Sequence, residues 1–394
     1  MRVFLSAGEA SGDLYAASLV TALRARIRAE NGNQSLEFFG CAGPRMQAAG
    51  VRPIIDLRSI AVVGLVEVIG HIPRIYRLFR KLIRAVPQER PDIAVLIDAP
   101  DFNLRVAKKL RGFGVPVVYL IAPQAWAWRE SRVRILRRTV QRLLCIFPFE
   151  EPFFEKHGVP TTYIGHPLAR LVKRTQTRAA FCAKYGFPED RPIVTLLPGS
   201  RHGEVARHIP ALLDAVQRIR EGHPSTTFVL ALPPGFNPNL SNDTSRFWER
   251  IRASSIQIIE GGTWDALAYS EVALAASGTV TIEAALLGAP MVTFYKVNAL
   301  SWMLGRWLVK APFLSMVNLV AGRKVVPELI QGDMTGERIA REAIRLLENA
   351  DERQQMREDL AEVARKLASD HDPMDAAAEW IERIASSEKK VYAG

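Results

Sequence analysis

Cysteine is scarce: Cys41, Cys145 and Cys182 are the only three in 394 residues. An odd number without metal-ligand spacing excludes a disulfide framework and a zinc module, and fits a reducing compartment. Long apolar runs are missing too, since no stretch reaches the ~20 uninterrupted apolar residues of a spanning helix. The segment Met1-Arg-Val-Phe-Leu-Ser-Ala-Gly8 has too short an apolar run for a signal peptide, and Glu9 and Asp13 follow it directly. A soluble or peripheral protein is expected. The dinucleotide fingerprint is absent, because the first glycine-bearing loop is Gly8-x-x-x-Gly12, and there is no Walker lysine. No nucleic-acid motif occurs. The only Asp-x-Asp, Asp370-His371-Asp372, falls between helices rather than after a strand and reads as a capping loop before Met374. No metal or cofactor is expected.

Hydrophobic residues make up 48% of the chain, enough for two or three cored domains at this length. Lys and Arg outnumber Asp and Glu by 52 to 41, a formal +11 that favours a polyanionic partner. Without a nucleic-acid motif, that partner is an acidic membrane surface or a phosphorylated substrate.

The strongest local pattern is Ala275-Ala-Ser277-Gly278-Thr279, between the buried strand Val272–Ala276 and a helix that ends near Gly288 and Pro290. A hydroxyl-rich turn at a strand's carboxyl end and a helix's amino end suits an anion. Glu283, one helical turn beyond Thr279, can accept two hydrogen bonds from a ribose or can merely offset the helix dipole. A second such junction is Ile193–Leu197 running into Pro198-Gly199-Ser200-Arg201, where Arg201 can hold a diphosphate with its planar fork. Asn318, Arg323 and Glu328 fall in a later segment within reach of a nucleotide.

Strand and loop also alternate in the first half. Arg2–Ser6 leads to the turn Gly8–Asp13 and a helix over Leu14–Ala29; Ile93–Ile97 leads to Asp98-Ala-Pro-Asp101-Phe-Asn103. Asp98 is a candidate general base, with helix capping the alternative for Asp98 and Asp101. Strand Val115–Ile121 ends in Pro123-Gln-Ala-Trp126-Ala-Trp128-Arg129, a substrate wall or a packing surface. Leu143–Phe147 continues the sheet, and Gly165-His166-Pro167 closes a first domain, His166 reading as an orienting or hinge residue rather than a catalyst. The charged stretch 335–368 and Met374–Ala385 read as helices. Two regions suit a membrane interface or an ordinary solvated face. One is the apolar run Ile60–Ile69, carrying Val63, Leu65 and Val68, followed by Arg74, Arg77, Lys81 and Arg84 on one helical face. The other is Trp302–Val309 with Arg306 and Lys310.

Taken in order, Ser6–Asp13, Ile97–Asn103, Pro123–Arg129, Gly165–Pro167, Leu197–Arg201 and Ser277–Thr279 with Glu283 resemble the lipid-A-disaccharide synthases, family 19 of the inverting glycosyltransferases. The likeness runs almost end to end; Met316-Val317-Asn318 departs from it, where a Pro before the Asn is expected. The resemblance implies an α/β GT-B fold, two doubly wound Rossmann-like domains facing each other across a cleft. Residues 1–168 would form the acceptor-side domain, 169–370 the UDP-sugar domain, and 371–394 a helix returning to the first. It implies transfer from UDP-2,3-diacylglucosamine to 2,3-diacylglucosamine 1-phosphate, without metal, at the cytoplasmic face of an anionic inner membrane. Asp98 and Arg201 would be catalytic. Gly199, Ser200, Arg201, Ser277, Gly278, Thr279, Glu283 and Asn318 would hold the nucleotide. Gly8, Ser11, Gly12, Asp13, Asp101, Trp126 and Trp128 would lie on the acceptor and lipid side. An epimerase acting on UDP-N-acetylglucosamine, or the peptidoglycan glycosyltransferase, would share the nucleotide half but not the Ile97–Asn103 and Trp126–Trp128 motifs in this form. A non-catalytic binder of phospholipid or nucleotide would not release UDP.

Overall fold

The computed structural model describes residues 1–31, 35–59, 65–128, 131–233, 235–236, 242–298, 302 and 311–392. The chain divides into two compact units, one containing Met1–Pro167 and Leu367–Gly394, the other Leu168–Trp307 and Ala311–Lys366.

The first unit is built on seven parallel strands: β1 (Arg2–Ala7), β2 (Glu37–Ala42), β3 (Arg52–Asp56), β4 (Ile93–Ile97), β5 (Val117–Leu120), β6 (Arg142–Cys145) and β7 (Thr161–Tyr163). Their order is β3-β2-β1-β4-β5-β6-β7. Helices cover both faces of such a sheet, so its central strands are continuous apolar runs, as in Ile93–Ile97, which is buried throughout. The sheet grows outward from β1 in one direction and then restarts at β4 in the other. Loops after β1 and β4 therefore diverge at the carboxyl edge, the crevice where open parallel sheets bind ligands.

The second unit repeats the plan with β8 (Ile193–Leu197), β9 (Thr227–Leu232), β10 (Gln257–Glu260), β11 (Val272–Ala276), β12 (Met291–Tyr295) and β13 (Glu328–Ile330). Here the order is β10-β9-β8-β11-β12-β13, with its reversal between β8 and β11. Leu197 pairs with Ala275, so the loops after these two strands leave the sheet at the same level.

Three differences from the sequence pattern have physical causes. The first helix opens at Ala10 rather than Leu14, because the Asp13 N–H already reaches the Glu9 carbonyl at 2.9 Å. The charged stretch 335–368 is two helices, Gly336–Glu348 and Ala350–Leu367, parted at Asn349, whose backbone is extended. Strands β3, β7 and β13 lie at sheet edges and are half-covered, so they lack the apolar run that marks a central strand. The last helix, Pro373–Tyr392, packs in the first unit against the helix Ala10–Asn31. Arg26 meets Glu382 at 2.9 Å, and the guanidinium groups of Arg142 and Arg383 lie over the Trp380 ring, at 4.0 and 4.7 Å from its centroid.

Candidate functional site

The switch point of the first sheet carries Asp98. Asp98 and Ala99 both have left-handed backbone, φ 49° and 46°, unusual for side-chain-bearing residues and worth about 1–3 kcal/mol of strain each. Three side chains hold them there. Asn103, fully buried, donates from Nδ2 to the carbonyls of Asp98 at 2.8 Å, Ile97 at 3.0 Å and Ser6 at 3.1 Å. Ser6 returns a hydrogen bond to Asn103 Oδ1 at 2.7 Å, and the Tyr119 hydroxyl donates to the Asp98 carbonyl at 2.6 Å. The β1 and β4 loops are thereby tied together. Gly8 completes the join, since a Cβ there would overlap that of Ala99, and one at Gly12 would touch Ala7 and Ile97. The helix Pro100–Gly112 has Ala99 at its N-cap, with Asp98 just before it and Asp101 in its first turn.

Other acceptor-side expectations divide. Ser11 is half-buried in the first turn of its helix, beside this loop pair in sequence. Asp13 is buried, and its two oxygens accept from the N–H groups of Arg45, at 2.9 Å, and Met46, at 3.0 Å, at the start of the helix Pro44–Ala48. Asp101 is exposed and accepts from Arg132, a buried guanidinium, at 2.7 Å. Trp126 is half-buried after β5, whereas the side chains of Trp128 and Arg129 lie outside the described residues.

Glu150 is a residue the sequence reading passed over. It follows β6, beside the loops of β4 and β5, and is fully buried. Trp126 Nε1 donates to its Oε1 at 3.2 Å and the Phe147 N–H to its Oε2 at 3.3 Å. Burial pushes its pKa up to about 8 against these donors, and the Asp98 charge adds to the rise. His166, the expected hinge, is buried against the rings of Tyr15 and Phe147 and donates its backbone N–H to Leu367; burial pushes its pKa down to about 3.

In the second unit the β8 loop turns at Gly199, φ 118°, with Ser200 exposed and Arg201 at the N-cap of the helix His202–Gly222. Arg201 Nη1 meets Glu204 at 3.3 Å. His208, buried further along this helix, donates from Nδ1 to the Pro198 carbonyl at 2.7 Å and accepts the Lys296 N–H at Nε2, 3.2 Å away. It thus fixes the β8 loop to the end of β12, and burial lowers its pKa, keeping it neutral.

The β11 loop presents Gly278 and Thr279 to solvent at the start of the helix Thr279–Leu286, which has no side-chain cap. A Cβ at Gly278 would meet nothing within 4 Å, so the first N–H groups are approachable. Ser277 Oγ donates instead to the Leu314 carbonyl at 3.0 Å, anchoring the turn. Glu283 is not in the helix's first turn, and its carboxyl accepts from Trp264. Burial raises its pKa while that hydrogen bond opposes the rise. Trp264, just after the glycine pair that follows β10, was not singled out from sequence.

Asn318 is engaged within the fold. It is wholly buried, its Oδ1 accepting from Val325 and Val326 at 2.8 and 3.0 Å, its Nδ2 donating to the Val326 carbonyl and Glu328 at 3.0 and 2.8 Å. Glu328 in turn accepts from the N–H groups of Leu314, at 3.0 Å, and Ser315, at 2.9 Å. Both residues shape the segment that anchors Ser277 rather than reaching outward. Arg323 is engaged on the surface by Asp359 at 2.9 Å and Glu362 at 3.3 Å.

The basic helix spans Leu65–Glu89. Leu82, Ala85 and Val86 are buried, whereas Arg74, Arg77, Lys81 and Arg84 are exposed. Arg77, Arg80, Lys81 and Arg84, with Arg52 and Ile54 of β3, line an open cavity of about 600 Å³. Val63 and the side chains of Leu65 and Val68 lie outside the described residues, as do 303–310. Among the described residues no helix is long and apolar enough to cross a membrane.

The family model for lipid-A-disaccharide synthetase matches residues 3–379. A lipid-A-disaccharide synthase of Solibacter usitatus (strain Ellin6076) is 58% identical over 93% of both chains. Among solved structures, the S. aureus MnaA-UDP co-structure aligns with 96% of this chain and 94% of that one, at TM-score 0.65 and 13% identity. The Methanocaldococcus jannaschii UDP-GlcNAc 2-epimerase in complex with UDP-GlcNAc and UDP aligns with 97% and 100%, at TM-score 0.62 and 12% identity. At these identities the structural likeness concerns the fold, a two-domain Rossmann-like one of GT-B type.

Proposed function

The chain belongs to the lipid-A-disaccharide synthase family of glycosyltransferases, and on that premise we propose how its residues divide the reaction. The substrates in line with that family are UDP-2,3-diacylglucosamine and 2,3-diacylglucosamine 1-phosphate. The products are the β-1,6-linked disaccharide 1-phosphate and UDP. One observation carries the division: in each unit a pair of motif-bearing loops flanks the switch point of the sheet.

The second unit takes the donor. The uncapped N–H groups at Thr279 and the Arg201 guanidinium face a diphosphate, and Glu283 receives the ribose hydroxyls. Gly199 and Ser200 let the chain pass close to the phosphates. As the bond from the donor anomeric carbon to the diphosphate oxygen breaks, UDP leaves with the electron pair, and the helix dipole and Arg201 stabilise the growing charge. The first unit takes the acceptor. Asp98 accepts the proton of the attacking hydroxyl while its oxygen bonds the anomeric carbon from the opposite side, inverting the configuration. The strain at Asp98–Ala99 fits a carboxylate fixed in advance.

The enzyme works at the cytoplasmic face of an anionic inner membrane, where Arg74, Arg77, Lys81 and Arg84 meet lipid phosphates. Supporting this are the +11 charge and the exposed cationic face of the helix Leu65–Glu89. The test is incubation of the purified protein with both substrates in mixed micelles. Formation of disaccharide and UDP in equal amounts is expected; UDP release without disaccharide, or neither product, would refute the assignment.

A further inference from the structure

We propose that Glu150 is a positioning residue of the acceptor site, acting through Trp126: its buried carboxyl clamps the indole against the strand ends that carry Asp98. The inference rests on the assignment of the acceptor to the first unit.

Three consecutive strand ends meet here. β4 delivers Asp98, β5 delivers Trp126 and β6 delivers Glu150, and the three strands are neighbours in the sheet. Trp126 is held twice. Its N–H is tied to Glu150 Oε1 at 3.2 Å, and its ring stands edge-on to Phe149 at 5.0 Å, which itself stacks on Phe147 at 5.7 Å. A half-buried indole with one polar atom has little else to fix its plane. Glu150 is also fastened to its own turn, its N–H donating to the Phe147 carbonyl at 3.1 Å while the Phe147 N–H donates to Oε2. The clamp is therefore rigid relative to β6.

Using a carboxyl for this is costly, since a buried acid disfavours its charged form. Burial raises its pKa, the donors of Trp126, Phe147 and Ile146 oppose the rise, and the Asp98 charge adds to it; the Cys145 thiol, itself raised by burial, feels Glu150 together with Glu151 and Glu155. With a pKa pushed up to about 8, Glu150 is mostly uncharged at neutrality. A carboxyl offers one oxygen to the indole and the other to the Phe147 N–H at once, so it ties the wall residue to the β6 turn.

Steady-state kinetics in mixed micelles test the proposal, with UDP affinity measured alongside. Glu150→Ala is expected to raise the acceptor KM at least tenfold, with UDP affinity unchanged. Glu150→Gln keeps an oxygen for the indole and should stay within threefold of the wild type. Trp126→Phe should raise the acceptor KM, and the double variant should be no worse than Glu150→Ala alone. A purely structural Glu150 would lower the folded fraction, and with it the apparent kcat, while acceptor KM stays put; that result, or additive effects in the double variant, overturns the proposal. Asp98→Asn is run in the same series. If it turns over normally, the acceptor-side assignment fails and the proposal falls with it. If it is inactive while Glu150→Ala leaves acceptor KM unmoved, only the role of Glu150 is refuted.

Discussion

Replacing Glu150 by glutamine should change how stability depends on pH, not only its level. The folded carboxyl has a pKa of about 8, against the ordinary 4.5 that it regains on unfolding. Between those values the native state binds more protons than the unfolded state, so stability is full below the lower value and falls as pH rises toward the upper one. Each unit of pH in that window removes about 1.4 kcal/mol. From pH 5 to pH 7 the wild type should therefore lose close to ~3 kcal/mol that Glu150→Gln does not lose, other titrating groups being common to both. The amide still accepts from one of the two N–H donors, and losing the other costs roughly 1 kcal/mol at every pH. The two proteins should thus differ by a constant plus a difference that grows with pH and levels off above about 8. In thermal unfolding, 1 kcal/mol corresponds to about 2–4 °C for a unit of this size, so the gap should shift by roughly 6–12 °C in favour of the variant. Parallel melting temperatures from pH 5 to pH 8 would show that Glu150 is ionised in the folded protein, and would refute the reasoning.

Glu283→Ala should weaken UDP binding by about 1–3 kcal/mol in calorimetry, the value of lost charge-assisted hydrogen bonds; unchanged affinity would return Glu283 to a partner of Trp264 alone. Asp98→Asn should reduce turnover roughly 100-fold or more with UDP affinity intact, and near-normal turnover would pass the proton to another group. Gly8→Ala forces a methyl into Ala99, which should cost about 1–3 kcal/mol in unfolding and depress turnover by parting the β1 and β4 loops. Charge reversal at Arg77 and Lys81 should release the protein from anionic vesicles at low salt, each cation near the surface being worth about 1 kcal/mol; unaltered sedimentation would make the basic face merely solvated.

Strand ends and their loops were legible in the sequence because parallel strands buried on both faces are uninterrupted apolar runs, and small residues must follow where the chain turns into a helix. That placed Asp98, Arg201 and the Ser277–Thr279 turn, together with the ordered motifs by which the chain resembles its family. Edge strands β3, β7 and β13 were not legible, since half-covered segments carry no such run. Nor could sequence tell a carboxylate facing a ligand from one facing its own backbone. Asp13 and Asn318 belong to promising motifs, yet tertiary contacts consume their hydrogen bonds. Glu150 and Trp264 gained significance only when separate strand ends were brought side by side, setting an indole N–H against a buried carboxyl. The chain's local chemistry thus determines which turns can hold an anion or a base. Which side chains remain available there depends on partners that only the folded chain supplies, such as Arg45 for Asp13 across 32 residues and the Glu150 carboxyl for the Trp126 indole across 24, because a hydrogen bond spent on the fold cannot also be offered to a substrate.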